Sequence, residues 1–223
     1  EGVVVATKFG IVRGTDPAAR GVSGRPEYVR SSCDASLKRL GTDHVDLYQI
    51  HRWDYGTPIA ETMEALHDVV KAGKARYIGA SSMFAWQFAE LQLTAEMNGW
   101  TRFISMQNHY NLLYREEERE MNPYCAKSGV GLTPWSPLAR GILAGSYRGG
   151  FERGSTDRSK GGDRMRTQSL YTGARTFEIA DRVVKLAEKY GRTPAQISLA
   201  WLLGKPEVHA PVVGVSRVEQ LEQ

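Results

Sequence analysis

Short apolar segments rich in β-branched residues alternate along this sequence with longer segments of helical periodicity. This alternation is typical of βα units, in which helices cover the faces of a sheet of parallel strands. The pattern predicts about six strands. They span residues 3–8, 45–51, 76–81, 103–109, 130–136 and 210–215. The predicted fold class is therefore α/β.

The segments between these strands carry recognisable helix signals. Pro58 opens one helix, and Gly73 ends it before the next strand. Thr193, Pro194 and Gln196 have the spacing of a capping box, which predicts the start of another helix. A third helix is predicted from apolar residues at helical spacing, namely Ile179, Val183, Leu186, Ala187 and Tyr190.

The composition is that of a globular domain. With 223 residues, of which 41% are hydrophobic and 24% charged, the chain can bury one sizeable core, and a single domain is predicted over residues 1–223. Cys33 and Cys125 lie far apart, without the spacing of a metal site. The sequence has no N-glycosylation sequon, no signal-peptide pattern and no apolar run long enough to cross a membrane. These features predict a soluble protein of the reducing cytoplasm.

Positive charge is concentrated in one stretch of the chain. The formal net charge is +4, and residues 139–175 hold eight Lys or Arg against three Asp or Glu. Such a local excess suits a bound anion, although a solvated glycine-rich loop would have the same composition. Nucleic acid is disfavoured as a partner, because stacking aromatic residues are not interleaved with the basic ones.

Two of the predicted strands end on residues suited to carbonyl chemistry. Lys8 closes the first strand and His51 closes the second. The carboxyl ends of parallel strands form the ligand-binding edge of α/β folds, so polar residues there usually serve chemistry. Taken singly, each residue also has a plainer interpretation: Lys8 as a surface lysine, and His51 as a hydrogen-bonded histidine at the sheet rim.

The predicted strands are too few for a closed barrel. A (β/α)₈ barrel has eight strands and about 250 residues, whereas about six strands are predicted here. We therefore expect a barrel that lacks two units at the front and a helix at the back. The alternative is a complete six-stranded sheet, which would leave an edge strand exposed.

Six segments occur in the order in which one enzyme family carries them. They are residues 6–8 (ATK), 46–51 (DLYQIH), 77–82 (YIGASS), 106–108 (MQN), 134–141 (PWSPLARG) and 214–216 (GVS), the last followed by 220–223 (QLEQ). On these segments the chain resembles the aldo-keto reductases, which are NADPH-dependent oxidoreductases built on a (β/α)₈ TIM barrel. The resemblance covers nearly the whole chain and implies that fold, with about six of its eight βα units present.

The resemblance implies a catalytic tetrad of Asp, Tyr, Lys and His. Lys8 matches the lysine, whose ammonium lowers the pKa of the catalytic tyrosine, and His51 matches the histidine that orients the substrate carbonyl. The family's tyrosine and aspartate belong to a segment before the lysine strand, which this sequence does not include. Neither Tyr48 nor Tyr55 is expected to replace that tyrosine. Tyr48 faces away from His51 on its strand, and Tyr55 lies in the following loop.

The resemblance also implies an NADPH site. Ser81, Ser82 and Gln107 would hydrogen-bond the nicotinamide carboxamide, and Trp135 would stack on the ring. The family often has Asn at position 82, so with the shorter serine a water intervenes or the contact is lost. The other implied residues are Ser136, Leu138, Arg140 and Gly141 at the pyrophosphate, and Gly214, Val215, Ser216, Arg217 and Gln220 at the adenosine 2′-phosphate. The plainer interpretations are a core aromatic for Trp135, and a helix cap and a solvated side chain for Ser216 and Arg217.

The sequence thus predicts an NADPH-dependent reductase that converts aldehydes or ketones to alcohols by hydride transfer. Trp53, Tyr55 and the loop after Ser136 are expected to wall the pocket, which favours an aromatic or aliphatic aldehyde. The alternatives are an inactive fragment or a non-catalytic NADP(H)-binding partner similar to the potassium-channel β subunits, which commonly have Asn where this chain has His51. A metal hydrolase is disfavoured, because only His51 and His109 lie at strand ends. Neither nucleic acid nor a membrane is expected as a partner.

Overall fold

The chain is organised as two compact units. The structure is a computed structural model that describes residues 2–12, 20–153, 163–215 and 217–222. The first unit comprises Glu1–Asn108 and Pro123–Gly131, and the second comprises His109–Asn122 and Leu132–Gln223. The single domain expected over the whole chain stays a prediction.

A parallel sheet runs through the first unit. The strands of the described ranges are β1 (Ala6–Phe9), β2 (Ile11–Val12), β3 (Gly21–Val22), β4 (Val45–Ile50), β5 (Ala75–Ser81), β6 (Phe103–Gln107) and β7 (Gly131–Leu132). Five of them are ordered β1-β4-β5-β6-β7 in one sheet, and β2 pairs with β3 in a separate antiparallel hairpin. Parallel pairing joins β1 to β4, β4 to β5 and β5 to β6, which confirms the predicted α/β class.

Helices connect the strands and supply most of the second unit. The α-helices of the described ranges are α1 (Pro26–Leu40), α2 (Ile59–Lys71), α3 (Ala85–Asn98), α4 (Met121–Ser128), α5 (Asp163–Leu170), α6 (Thr176–Tyr190), α7 (Pro194–Leu203) and α8 (Glu219–Glu222). Each of α1, α2 and α3 joins one parallel strand to the next, as βα units require. Among these helices, none combines the length and the apolar character needed to span a bilayer.

The register of the sheet sorts its side chains onto two faces. Thr7 of β1 pairs with Tyr48 of β4. Both point to α1, where the Thr7 hydroxyl donates to a serine hydroxyl and the Tyr48 hydroxyl donates to the Val29 carbonyl oxygen at 2.8 Å. Because successive side chains of a strand alternate, Lys8 and its partner Gln49 point to the opposite face. We call that opposite side the inner face.

A one-residue bulge in β6 interrupts this alternation. Phe103 pairs with Ile78 of β5, and Ser105 pairs with the next residue, Gly79, so the register skips Ile104. The Phe103 ring therefore packs against α3, while Ser105 lies on the inner face. A buried glutamine of α3 accepts from the Phe103 N–H and donates to the Phe103 carbonyl oxygen, both at 2.9 Å.

The last predicted strand is wrong. Residues 210–215 form no regular strand, and Val212 makes only an isolated bridge with Trp135. Pro211 lacks the N–H that a ladder requires, and Gly214 contributes no side chain to pack. The apolar composition of this segment predicts a strand, but these two residues prevent a regular ladder.

Other strand boundaries also differ from the prediction. The strand predicted over residues 130–136 narrows to β7, and the one predicted to reach His109 ends at Gln107. The short hairpin of β2 and β3 was not predicted at all. Strand ends and short pairings depend on contacts between distant segments, which periodicity does not contain.

The helix signals are largely confirmed. Gln196 N donates to Thr193 Oγ1 at 3.2 Å and Thr193 N donates to Gln196 Oε1 at 2.9 Å, so α7 begins with the predicted capping box. Gly73 follows α2 with a φ of 72°, in the left-handed region. The predicted face of α6 is only partly correct, because Val183 is buried but Leu186 and Tyr190 are exposed.

A charged cluster around Glu118 stabilises the second unit. The Glu118 carboxylate accepts hydrogen bonds from Tyr110 Oη at 2.5 Å and from Arg115 Nε and Nη2 at 3.0 and 2.6 Å. Lys205 Nζ lies 3.7 Å from the same carboxylate. The hydrogen bonds from Arg115, above all, lower the pKa of Glu118 to about 2. Arg115 and Lys205 also pack over the ring of Trp201.

Replacing Glu118 by Gln is expected to lower the free energy of unfolding at neutral pH by about 1–3 kcal/mol, because charge-assisted hydrogen bonds are lost. The pKa of Glu118 lies below its ordinary value in the folded state. Its contribution is therefore present above about pH 5 and is lost as the pH falls toward 2. Urea unfolding of wild type and E118Q across this pH range should give stability curves that converge at acid pH.

The matched control is Glu116→Gln, which removes an exposed ion pair with Arg119. Exposed pairs contribute little, so this variant should unfold like the wild type. If E118Q and wild type remained equally far apart down to pH 3, the Glu118 carboxylate would not be the source of the stability.

Candidate active site

Four residues predicted for the site share the inner face at the carboxyl end of the first unit's sheet. Lys8 pairs with Gln49, and His51 follows two residues after Gln49 on the same face. Ser81 pairs with Gln107, and both belong to that face because Gly79, two residues before Ser81, pairs with Gln49. The parallel register thus brings together side chains from four different strand ends.

The surroundings of Lys8 favour loss of its proton. Burial, and then the positive charge of Arg52, lower the pKa of the Lys8 ammonium below its usual value. His51 N donates to the Phe9 carbonyl oxygen at 2.9 Å, which ties the end of β4 to the end of β1. Arg52 directly follows His51, so this bond keeps it near Lys8. A half-buried lysine with a perturbed pKa at a strand end is typical of a functional site.

Ser81 and Ser82 are both anchored to the end of β6. Ser81 Oγ and Ser82 N donate to the Gln107 carbonyl oxygen at 2.8 and 3.2 Å. Ser82 has a φ of 48°, in the left-handed region that residues other than glycine rarely adopt. Such strain persists only where the surrounding structure fixes it, and it is common at ligand sites. The turn after β5 is therefore held in one conformation, with its two serine hydroxyls 3.4 Å apart.

The second unit has a similar strained turn at the segment predicted to bind the pyrophosphate. Ser136, Ala139 and Arg140 have φ values of 53°, 47° and 55°, and Gly141 has a φ of 101°. In the part of the chain that the structure describes, these three and Ser82 are the non-glycine residues with positive φ. All four lie on segments that the family resemblance marks as cofactor-binding. Backbone strain therefore coincides with the predicted site in both units.

A stack of aromatic rings surrounds His109 in the second unit. The imidazole lies nearly parallel to the rings of Trp135 and Tyr114, with centroids 4.0 and 4.3 Å away. His109 Nε2 is 2.8 Å from Tyr171 Oη, and Asn111 Nδ2 donates to the same hydroxyl at 3.1 Å. Burial raises the pKa of Tyr171 to about 12, so its hydroxyl stays protonated at neutral pH. The network holds the plane of Trp135.

Sequence reasoning missed this network. Its one local signal is a run of polar residues, Asn108, His109 and Asn111, directly after β6. Asn111 Nδ2 also donates to the Ser136 carbonyl oxygen at 2.8 Å, which links the network to the strained turn. Tyr171 lies 62 positions beyond His109, so no spacing rule connects the two. Within the described ranges, no three His, Cys, Asp or Glu side chains are grouped as metal ligands.

Arg140, predicted to lie at the pyrophosphate, has protein partners on α5. Its guanidinium forms an ion pair with Asp163, and its Nε donates to Thr167 Oγ1 at 3.2 Å. The Leu138 carbonyl oxygen accepts from Gly141 N at 2.9 Å, which closes the turn. Arg140 therefore fastens this loop to α5. Its contact with a phosphate stays a prediction.

The last predicted segment lies next to α8. Gly214, Val215 and Arg217 are exposed, and Gln220 N donates to the Arg217 carbonyl oxygen at 3.2 Å. Ser216 lies outside the described residues. The exposure of Arg217 is compatible with binding of a ligand phosphate, and the roles of all these residues stay predictions.

The aromatic side chains that follow or belong to β4 lie against helices. Tyr48 is fully buried on the α1 side, as predicted, and burial raises its pKa. Tyr55 is exposed and accepts a hydrogen bond from Gln87 Nε2 of α3 at 3.1 Å. The Trp53 ring meets the rings of Tyr55 and Trp86 edge-on. The expected pocket wall at Trp53 and Tyr55 is therefore not confirmed.

Gly79 is required by close packing on the inner face. A Cβ atom at this position would lie 2.4 Å from Ser105 Oγ and 3.1 Å from Gln49 Cγ. Both distances are shorter than an ordinary contact between non-bonded atoms. The absence of a side chain at Gly79 thus lets the side chains of Gln49 and Ser105 approach each other across β5.

Comparison with known proteins accounts for this arrangement. The model of the aldo/keto reductase family matches residues 1–223. The chain belongs to that family. The fold of the aldo/keto reductases is the (β/α)₈ barrel, and the parallel sheet with its connecting helices is of that class.

Several fungal relatives are similar over most of this chain. A Schizosaccharomyces pombe protein, provisionally named an aryl-alcohol dehydrogenase, is 52% identical over 198 residues, covering 88% of this chain and 54% of the relative. Aldo-keto reductase AMT2 of Alternaria alternata is 50% identical over 190 residues, covering 85% and 50%. Versiconal hemiacetal acetate reductase of Aspergillus parasiticus is 48% identical over 201 residues, covering 88% and 56%. The chain spans about half the length of the curated relatives it matches.

Replacing Gly79 by Ala is expected to lower the free energy of unfolding by about 1–3 kcal/mol, because the new methyl group overlaps Ser105 Oγ. In a Ser105→Ala background the same change should cost less, since the obstructing hydroxyl is gone. Thermal or urea unfolding of the two single variants and the double variant measures this coupling.

Gly21→Ala is the control, because nothing lies within 4 Å of the Cβ position at Gly21. This variant should unfold like the wild type. An equal cost for Gly79→Ala with and without the Ser105 hydroxyl would show that Ser105 is not the obstacle.

Proposed function

We propose that this aldo/keto reductase chain takes part in the NADPH-dependent reduction of aldehydes or ketones to alcohols. One observation carries the proposal: Lys8 of β1, Ser81 of β5 and Gln107 of β6 share the inner face at one end of the sheet, where His51 directly follows β4. Lysine and histidine suit proton transfer and carbonyl orientation, and serine and glutamine suit recognition of an amide.

The residues of each unit fit parts of a nicotinamide cofactor. A carboxamide needs both donors and acceptors, which the side chains of Ser81, Ser82 and Gln107 supply in the first unit. In the second unit, the Trp135 ring offers a flat surface whose plane His109 fixes. When bound, NADPH supplies the hydride. Both strained turns are regions where the surrounding structure holds the backbone ready for a ligand.

Lys8 and His51 would act on the carbonyl oxygen. As an ammonium, Lys8 would favour the charged form of a hydroxyl beside it. His51 would hydrogen-bond the carbonyl oxygen and hold it in orientation. The hydroxyl that protonates this oxygen would come from the family's tyrosine, which this sequence does not include.

Arg217 would favour NADPH over NADH. A guanidinium matches the 2′-phosphate in charge and in bidentate geometry. Arg217 is exposed beside α8, whereas Arg140 is ion-paired with Asp163 of α5. We propose that Ser216 holds the 2′-phosphate together with Arg217, and that Gly214, Val215 and Gln220 belong to the same binding segment.

Aromatic carbonyl compounds are the proposed substrate class. The names of the relatives point to aryl-alcohol and versiconal hemiacetal acetate chemistry in those proteins. The sequence features that predict a soluble cytoplasmic protein are compatible with such substrates and with an NADPH supply.

A second candidate function is non-catalytic binding of NADP(H), as in the potassium-channel β subunits. The contacts of Tyr48 and Tyr55 favour it, because the Tyr48 hydroxyl bonds to α1 on the face opposite Lys8 and the Tyr55 hydroxyl bonds to Gln87 of α3. Retention of His51 favours the enzyme. Cofactor binding without turnover by the purified protein would decide for the second candidate.

Replacing Lys8 by Met is expected to lower kcat by about 100-fold or more, and replacing His51 by Ala by about 10-fold to 100-fold, because proton transfer and carbonyl orientation are lost. The assay is loss of NADPH absorbance after addition of an aromatic aldehyde to the purified protein. Lys38→Met, at an exposed position of α1, is the control and should keep full activity. Full activity of both site variants would exclude Lys8 and His51 from the reaction.

Replacing Arg217 by Ala is expected to weaken NADPH binding by about tenfold and to leave NADH binding unchanged, since only NADPH carries the 2′-phosphate. Fluorescence titration of wild type and variant with both cofactors measures the ratio of the Kd for NADPH to the Kd for NADH. The exposed Arg192→Ala serves as a control of equal charge change. A similar loss of affinity for both cofactors would contradict phosphate recognition by Arg217.

A further inference from the structure

Two polar atoms on the inner face have no hydrogen-bond partner among the described residues. They are the amide nitrogen Nε2 of Gln49 and the hydroxyl oxygen of Ser105. The two residues are only 1% and 6% exposed. Leaving a buried donor unsatisfied is unfavourable, so such atoms usually bind something.

Both atoms belong to one row of side chains that also contains Lys8. Lys8 pairs with Gln49, Gln49 with Gly79, and Gly79 with Ser105. Neighbouring strands are about 4.8 Å apart, so adjacent side chains of the row are within reach of a single hydrogen-bonded bridge. Along the strands, this row lies two residues before the position of His51, on the same face.

The two atoms are close enough together to share one water molecule. The Cβ position at Gly79 lies 2.4 Å from Ser105 Oγ and 3.3 Å from Gln49 Nε2. The two atoms are therefore within about 5.7 Å of each other, which two hydrogen bonds of about 2.8 Å through one water can span. Because Gly79 has no side chain, no Cβ atom occupies the position between these two atoms.

We infer that Gln49 and Ser105 hold a shared water molecule on the inner face, and that this water solvates the Lys8 ammonium. The groups match a water in their chemistry: Gln49 Nε2 and the ammonium only donate, whereas the Ser105 hydroxyl also accepts. The water oxygen accepts from Gln49 and Lys8, and one water hydrogen goes to Ser105 Oγ. Three partners are typical of a buried water.

This water makes Gln49 and Ser105 positioning residues for Lys8. It supplies solvation to an ammonium that burial otherwise destabilises, and so it keeps more of Lys8 protonated. Arg52 is the charged group that acts on Lys8, and it is unchanged in the variants proposed below. A role of this water in catalysis rests on the proposed function, whereas the existence of the water site does not depend on it.

The test measures the reactivity of Lys8 in Gln49→Met, Ser105→Ala and the double variant. Competitive labelling with acetic anhydride, read by mass spectrometry across pH, gives the pKa of Lys8 with exposed Lys38 as the internal reference. Each single variant should lower the pKa of Lys8 by about 0.5–1 unit, because an ammonium without its water is less well solvated. The double variant should lower it no further, because either change removes the same water.

Gln87→Met is the matched control. Gln87 is also a buried glutamine, but its amide bonds to Phe84 N and Tyr55 Oη at the start of α3. Its loss should reduce stability and leave the pKa of Lys8 unchanged. Thermal unfolding establishes that each variant is folded before labelling. Ser105→Ala removes a single atom, so it decides the question if Gln49→Met is unstable.

An unchanged pKa of Lys8 in Ser105→Ala would overturn the inference. Additive shifts in the double variant would also overturn it, since Gln49 and Ser105 would then act on Lys8 separately. The labelling requires neither cofactor nor turnover. A negative result therefore leaves the proposed reductase function standing, and absence of turnover leaves this test intact.

Discussion

The parallel pairing of β1 with β4 is the constraint on which the rest of the first unit depends. It sends Thr7 and Tyr48 toward α1 and, in alternation, Lys8 and Gln49 toward the inner face. A shift of one residue would exchange the two sets, burying an ammonium among helices and exposing an apolar surface. The Tyr48 hydroxyl, bonded to a backbone carbonyl of α1, helps to prevent such a shift. The chemistry of the edge therefore depends on packing on the far side of the sheet.

In the second unit, side-chain contacts fix the backbone of one strained turn. Its turn at residues 136–141 is held in a costly backbone conformation, and ion pairing of Arg140 with Asp163 and stacking of His109 on Trp135 support that turn. Strain of this kind is kept only where several independent contacts oppose relaxation. The side chains around this turn thus contribute to its rigidity.

The local features were the ones that sequence could predict. Lys8 and His51 were recognised from their place at the ends of β-branched segments, and the start of α7 from its capping residues. Three features were not predictable, because they join residues distant in the chain: the contacts of Tyr171 with His109, the ion pair of Arg140 with Asp163, and the row that includes Ser105. No regular strand forms at residues 210–215, because Pro211 and Gly214 disfavour a ladder although the segment is apolar.

The bulge at Ile104 has a consequence for the length of β6. Strict alternation would place Phe103 and Ser105 on one face, yet the extra residue sends Phe103 to the helices and Ser105 to the inner face. Loss of Ile104 would restore a regular strand and leave both residues facing as they do now. Loss of Ser105 would also restore a regular strand, but it would place Ile104 instead of the serine hydroxyl on the inner face. Ile104 is therefore a position where β6 can lose a residue and still keep Phe103 and Ser105 on their present faces.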